Sequence, residues 1–307
     1  MRRFIGTGMV CAVVGLYAIS PAWAQTSGED SLYDTSYIMD TTSPQQDDEM
    51  AMAVDSEYRY IRSPLYFDDA QVQPTDTMYF RLGFDYLTES SYSVPATSRE
   101  GARDDDFGLD LKWVWGCCDN VEVFAQLPIN LGDGRYNGDS GDGNYDLSFG
   151  STYMFWEEGT HFDWMPAFSL KGTVRIPTGY HSSGVDGELR GMWTKTIAGD
   201  LRGHFNAFAT TVNGNNDPNA RDFQWGFVFG ADMPLNDARD LWLMMDYQHR
   251  SSEHYGNGNM NLVEAGVEWK MDDVQSVHFT TQVGLDGDGD TPNWGARIAY
   301  TYELRYQ

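Results

Sequence analysis

From residue 77 to residue 306 the side chains alternate between apolar and polar with a period of two. The last such segment is the cleanest: Trp294, Ala296, Ile298, Tyr300, Tyr302 and Leu304 interleave with Asn293, Gly295, Arg297, Ala299, Thr301 and Glu303. A strand with one apolar face produces this pattern and a helix does not. Twelve segments share it, over 77–87, 106–116, 120–131, 143–156, 162–176, 187–198, 201–212, 221–233, 240–250, 260–271, 275–285 and 292–305. At about eleven residues each they exceed the five or six usual for soluble sheets and match a tilted strand that crosses a bilayer.

The connectors decide between a sandwich and a barrel. They alternate long (88–105, 132–142, 177–186, 213–220, 251–259, 286–291) and short (117–119, 157–161, 199–200, 234–239, 272–274). Outer-membrane barrels have even strand numbers, short periplasmic turns and long outer loops. A soluble sandwich has no reason to sort its loops. The sequence therefore predicts an all-β fold, a transmembrane antiparallel up-and-down β-barrel of about twelve strands, with both termini periplasmic and the long loops extracellular.

The aromatic residues agree. In the outward register Trp115, Phe155, Trp269 and Tyr302 lie beside short turns, and Tyr86, Phe107, Tyr145, Phe223 and Trp294 beside long loops. Two girdles at the strand ends are what the two membrane interfaces select. Two residues break the register: Trp242 falls inward, and Lys195 falls outward on an irregular sixth strand, where a bulge is one explanation.

Three zones precede or make up the barrel. Met1-Arg2-Arg3, an apolar run over residues 4–19 and the Ala22-x-Ala24 pattern have the layout of a secretory signal peptide, expected over residues 1–24. Residues 25–76 carry twelve acids against two bases, with much Ser, Thr and Gln, and are read as an acidic, largely disordered periplasmic tail. Residues 77–307 form the barrel. With 46 acidic and 20 basic side chains the formal charge is −26, which removes nucleic acid as a partner because no basic face is left for phosphates. The partners expected are the outer-membrane lipid bilayer and small-molecule solutes; the oligomeric state stays open. Overall polarity is no objection to a membrane protein, since only alternate strand positions meet lipid.

Residues 143–153 (GNYDLSFGSTY) are similar to the "GxGDxxLGxKY" strand of the MetA-pathway phenol-degradation (transporter) family of outer-membrane proteins. Residues 170–179 (LKGTVRIPTG), followed by 184–189 (GVDGEL), resemble that family's "KLPTG" strand end and the loop after it. The resemblance covers the barrel and leaves the acidic tail outside. It implies an outer-membrane channel for small solutes, including apolar or aromatic compounds, and no catalytic residues. One departure is the end of the chain, where Tyr306 is followed by Gln307 and not by the usual terminal aromatic.

The candidate functional residues are those that face the lumen. Both signs occur there: Arg81, Asp85, Asp110, Lys112, Glu122, Asp146, Lys171, Arg175, Glu188, Arg190, Arg202, Asp222, Asp246, Glu264, Glu268, Lys270, Arg297 and Glu303. Such a lining either conducts solutes or closes into an ion-pair network, as in a structural or surface-interaction barrel. Eight strands are just filled by side chains and sixteen leave a channel, so twelve stands between these cases. Residues 58–67 (YRYIRSPLYF) are unlike the rest of the tail, and Tyr58, Arg59, Tyr60, Arg62, Tyr66 and Phe67 form a candidate plug, with Arg59 and Arg62 paired to lumen acids such as Glu303 or Glu122. Asp286, Asp288 and Asp290 alternate with Gly, as oxygen ligands round Ca²⁺ can, although Asp and Gly are also ordinary loop residues. No other cofactor is expected. Cys117 and Cys118 sit in a short turn, where a strained mutual disulfide and pairing with another chain are both open. A hydrolase would need a Ser–His–acid arrangement, and none is legible, so no enzyme is expected.

Overall fold

Twelve strands follow one another with no helix between them among the described residues: β1 (Thr77–Thr88), β2 (Asp105–Cys118), β3 (Val121–Asn130), β4 (Leu147–Trp156), β5 (Ala167–Ile176), β6 (Asp186–Ala198), β7 (Leu201–Thr211), β8 (Phe223–Pro234), β9 (Leu241–Arg250), β10 (Met260–Lys270), β11 (Gln275–Gly284) and β12 (Trp294–Arg305). The computed structural model describes residues 67–88, 105–131, 146–178, 184–211, 213, 221–252, 255, 258–285 and 294–306. The expected signal peptide, most of the acidic tail and most of the long connectors lie outside these.

Each strand pairs antiparallel with its chain neighbour, and β1 closes on β12, so the sheet is a closed barrel without edges. The closing seam runs from Thr77 opposite Arg305 to Thr88 opposite Trp294. A slip of one residue anywhere would turn the charged face to lipid, so the alternation that shows in the sequence also fixes the register. Irregularities cluster at the short-turn end. Register shifts occur at Gly116/Cys118, Met154/Trp156 and Thr196/Ala198, each beside a short turn. The tight reversals use positive φ at Asn120 (62°) and Gly199 (55°), residue types that tolerate it.

The outward face is apolar and aromatic. Phe155, Phe168, Trp193, Phe205 and Phe229 touch in sequence across β4 to β8, with centroid separations of 5.4, 5.0, 5.4 and 4.9 Å. At the long-loop end Tyr86 packs between Phe107, tilted at 5.0 Å, and Trp294, edge-on at 5.6 Å. Tyr145 lies outside the described residues. Lys195 does face outward. Its register precedes the bulge, and what accommodates the charge is a salt bridge of 2.8 Å to Glu158 in the neighbouring turn. Trp242 faces inward, where its indole N–H donates to the Arg239 carbonyl at 2.8 Å.

Candidate functional site

The lumen contains a piece of the chain itself. Residues 67–76, counted with the acidic tail in the sequence, run inside the barrel from its waist to the short-turn end. They form no strand, so their backbone donors need other acceptors, and side chains of the wall supply them. The amide of Phe67 donates to Asp246 Oδ2 (3.1 Å), that of Asp68 to Asn206 Oδ1 (2.6 Å), that of Ala70 to Thr194 Oγ1 (2.9 Å) and that of Gln73 to Glu122 Oε2 (3.0 Å). Asn206 reads Asp68 twice, because its amide nitrogen also donates to the Asp68 carbonyl at 2.9 Å. Ser169 Oγ donates to the Ala70 carbonyl.

Two wall glycines make room for this segment. A Cβ on Gly230 would stand 2.5 Å from the Phe67 ring, and one on Gly116 would stand 2.1 Å from the Pro74 carbonyl oxygen. Phe67 is wholly buried, stacks on His204 at 4.3 Å, and joins Phe208, Val228, Trp242 and Met244 in an apolar cluster inside the barrel. Burying one such ring is worth about 2 kcal/mol.

Charge complements the fit. One carboxylate oxygen of Asp68 lies 3.0 Å from Lys171 Nζ and 3.0 Å from Arg190 Nη1. Lys171 and Arg190 are direct cross-strand partners on β5 and β6, a like-charge juxtaposition that is unfavourable without an anion between them. Burial alone would raise the Asp68 carboxyl, but Lys171 and Arg190 outweigh it and hold the group well below the usual carboxylate range. Asp69 receives Arg202 Nη1 at 2.8 Å and the Thr194 hydroxyl at 2.9 Å. Arg202 also forms a fork with Asp232, its cross-strand partner, at 2.9 and 2.8 Å, and His204 Nε2 stands 2.9 Å from the same carboxylate.

The remaining predicted lumen residues lie as follows. Arg81 meets Asp110 at 3.2 Å, Arg297 meets Asp85, and Glu188 receives Arg175 at 2.9 Å and Arg190 at 3.1 Å. Lys112 stands over the Phe124 ring at 5.7 Å and Lys270 over Trp242 at 5.2 Å. Glu122 accepts from Thr152 at 3.0 Å, Glu264 from Thr280 at 2.9 Å and Glu303 from Arg305 at 2.8 Å. Asp246 and Glu268 are buried, and Asp146 is half-buried just before β4. Asp222 differs from the expectation: it precedes the first residue of β8, is exposed, and the pleat that aims the other side chains inward does not reach it. A cavity of about 650 Å³ opens at the short-turn end, lined in part by Gln73, Glu268, Lys270, Ser276, Glu303 and Arg305.

Of the candidate plug, Tyr58, Arg59, Tyr60, Arg62 and Tyr66 lie outside the described residues, and Phe67 is where the lumen segment begins. Within that segment the ion pairs run opposite to the expected sense, from tail acids to wall bases. The sequence reading missed Asp68, Asp69 and Asp232. Asp232 was findable, since it shares its register with Gln224 and Val228 on the inward side of β8.

His278 brings together groups that a hydrolase would use, and their geometry is wrong for one. Ser276 Oγ lies 3.1 Å and Glu268 Oε1 3.7 Å from the same imidazole nitrogen, Nε2, so the acid cannot orient the ring through its other nitrogen. Asp286, Asp288 and Asp290 lie outside the described residues, and among the described ones no group of three metal-ligating side chains occurs. Cys117 and Cys118 are free thiols with sulfur atoms 3.6 Å apart.

No known family profile matches the chain, and neither does any curated protein. Solved structures do match in fold. An outer-membrane channel from Pseudomonas putida F1 superposes with a TM-score of 0.59 at 12% identity, covering 80% of this chain and all of the other. The NanC porin superposes with a TM-score of 0.50 at 9% identity, covering 74% of this chain and all of the other. The fold of this chain is thus the twelve-stranded barrel type seen in outer-membrane proteins, here with a segment of its own N-terminal region packed inside it.

Proposed function

We propose that the protein is an outer-membrane channel for small solutes, with a passage narrowed by residues 67–76. The observation that carries this reading is the division of the wall: an apolar, aromatic outer face and an inner face of charged and amide groups, closed without an edge. Lipid selects the first and a hydrated path the second. The fold likeness to a channel and a porin supports it. The orientation that follows from the loop sorting places the short turns and the lumen segment on the periplasmic side. The motif resemblance adds apolar or aromatic compounds to the solutes worth testing. The barrel carries no enzymatic activity in this reading.

The rival is a structural barrel with a closed lumen, favoured by the buried apolar cluster around Phe67. Planar-bilayer recordings separate the two. A channel gives discrete conductance steps in the intact protein or after deletion of residues 25–73. A heat-modifiable, folded barrel that conducts in neither form would establish the closed barrel. Cysteines placed at Asn215 or Gly256 should be labelled from outside intact cells and one at Asn236 should not; the reverse pattern would invert the orientation.

A further inference from the structure

The cations that hold the lumen segment form a strip across three successive strands of one wall, with Arg202 six residues along β7 from the position opposite Arg190. Lys171, Arg190 and Arg202 lie on β5, β6 and β7; the first two share the carboxylate of Asp68, and Arg202 binds that of Asp69. The strip is built, with an aromatic ring beneath two of its cations: Lys171 stands 4.7 Å over Phe124 and Arg190 4.8 Å over Phe208. Thr194 adds a hydroxyl donor to the same anionic partner. Wall carboxylates compensate it only in part: Glu188 reaches Arg190 and Asp232 reaches Arg202, while the carboxylate on Lys171 is that of Asp68 among the described residues. In direct contact Lys171 is thus left to the segment, although Glu122 and Glu188 of the wall also attract it. No strand includes the segment that carries Asp68 and Asp69, so its displacement requires no strand to move.

We infer that Lys171, Arg190 and Arg202 are an anion-binding site of the barrel, that Asp68 and Asp69 occupy it as a built-in competitor, and that its external ligand is a small solute bearing two carboxylates. This inference rests on the channel reading and names the solute class that the channel admits. Two adjacent tail carboxylates, each held by guanidinium or ammonium donors, outline that ligand's chemistry. When a dicarboxylate takes their place, residues 67–76 lose their ion pairs, and the passage widens as the solute binds. Occupancy by the tail lowers the apparent affinity for the solute by the fraction of time the strip stands open.

The test compares the intact chain with Asp68→Asn/Asp69→Asn, which leaves every strand unchanged, using succinate as probe and succinamide at matched ionic strength as control. In detergent, succinate should raise the Tm of the double variant, with an affinity at least about tenfold higher than for the intact protein. Adding Arg190→Gln to the double variant should abolish the shift. In bilayers under a potassium chloride gradient, the double variant should shift its reversal potential toward chloride. Equal succinate response in the intact and variant proteins, or none in either, would overturn the site. Succinate stabilisation of the variant together with silent bilayers would remove the channel and leave the anion site standing.

Discussion

Two stretches of the lumen wall, β5 to β8 and β10 to β12, bury charge in different ways. Along β5 to β8 the inward groups Lys171, Arg190 and Arg202 find anions on a segment more than a hundred residues earlier in the chain. Along β10 to β12 the inward groups meet one another: Thr280 donates to Glu264 across β11 and β10, and Ser276, Thr301 and Glu268 surround His278. The first stretch is complementary to an inserted chain, which β3 and β9 also hold through Glu122 and Asp246, and the second is complementary to itself. Removing charge should therefore matter where the partner comes from elsewhere, and little where a neutral isostere keeps the same neighbour.

The largest expected effect is on the inserted chain as a whole. Deleting residues 25–73 should raise single-channel conductance several-fold while the barrel still shows heat-dependent gel mobility. Unchanged conductance would erase the contrast between the two stretches. Asp232→Ala comes next. It strips Arg202 and His204 of a shared, fully buried carboxylate and should cost about 3 kcal/mol in chemical unfolding, in the range for breaking a buried pair. Gly230→Leu fills the space of the Phe67 ring and should forfeit about 2 kcal/mol of burial, with proteolysis near residue 67 becoming faster.

Acid should do little in the physiological range. The Asp68 carboxyl is held below its ordinary value of 3.8, so its contribution is full above that value and fades only as the pH falls through the lower folded one. Conductance and tail protection should thus be constant from pH 7 to about pH 5 as far as Asp68 governs them; release of the segment in that interval would assign its hold to other groups. The smallest effect belongs to the second stretch. Glu264→Gln keeps an acceptor for Thr280 and relieves a buried carboxylate oxygen that has no hydrogen-bond donor, so stability should change by less than about 1 kcal/mol or rise slightly. A loss as large as that from Asp232→Ala would show that the two stretches are alike.

The sequence by itself determined the barrel. Period-2 alternation is a local property of each strand, and with one face in lipid it leaves a single workable register, so strands such as Trp294–Arg305 were legible to within two residues. The sorting of connectors settled their number and closure. It also showed that residues 58–67 differ from the acidic stretch before them. Only the tertiary structure decided what stands in the lumen. Asp68 and Asp69 look like two more acids of a solvated tail until Lys171, Arg190 and Arg202, from three different strands, are brought to one wall, and Gly230 and Gly116 look like ordinary strand glycines until Phe67 and Pro74 lie against them. A strand pattern specifies which face a side chain takes. It carries no information about which distant segment fills the space that the closed face encloses, because that match depends on height and position around a barrel that exists only once all twelve strands have paired.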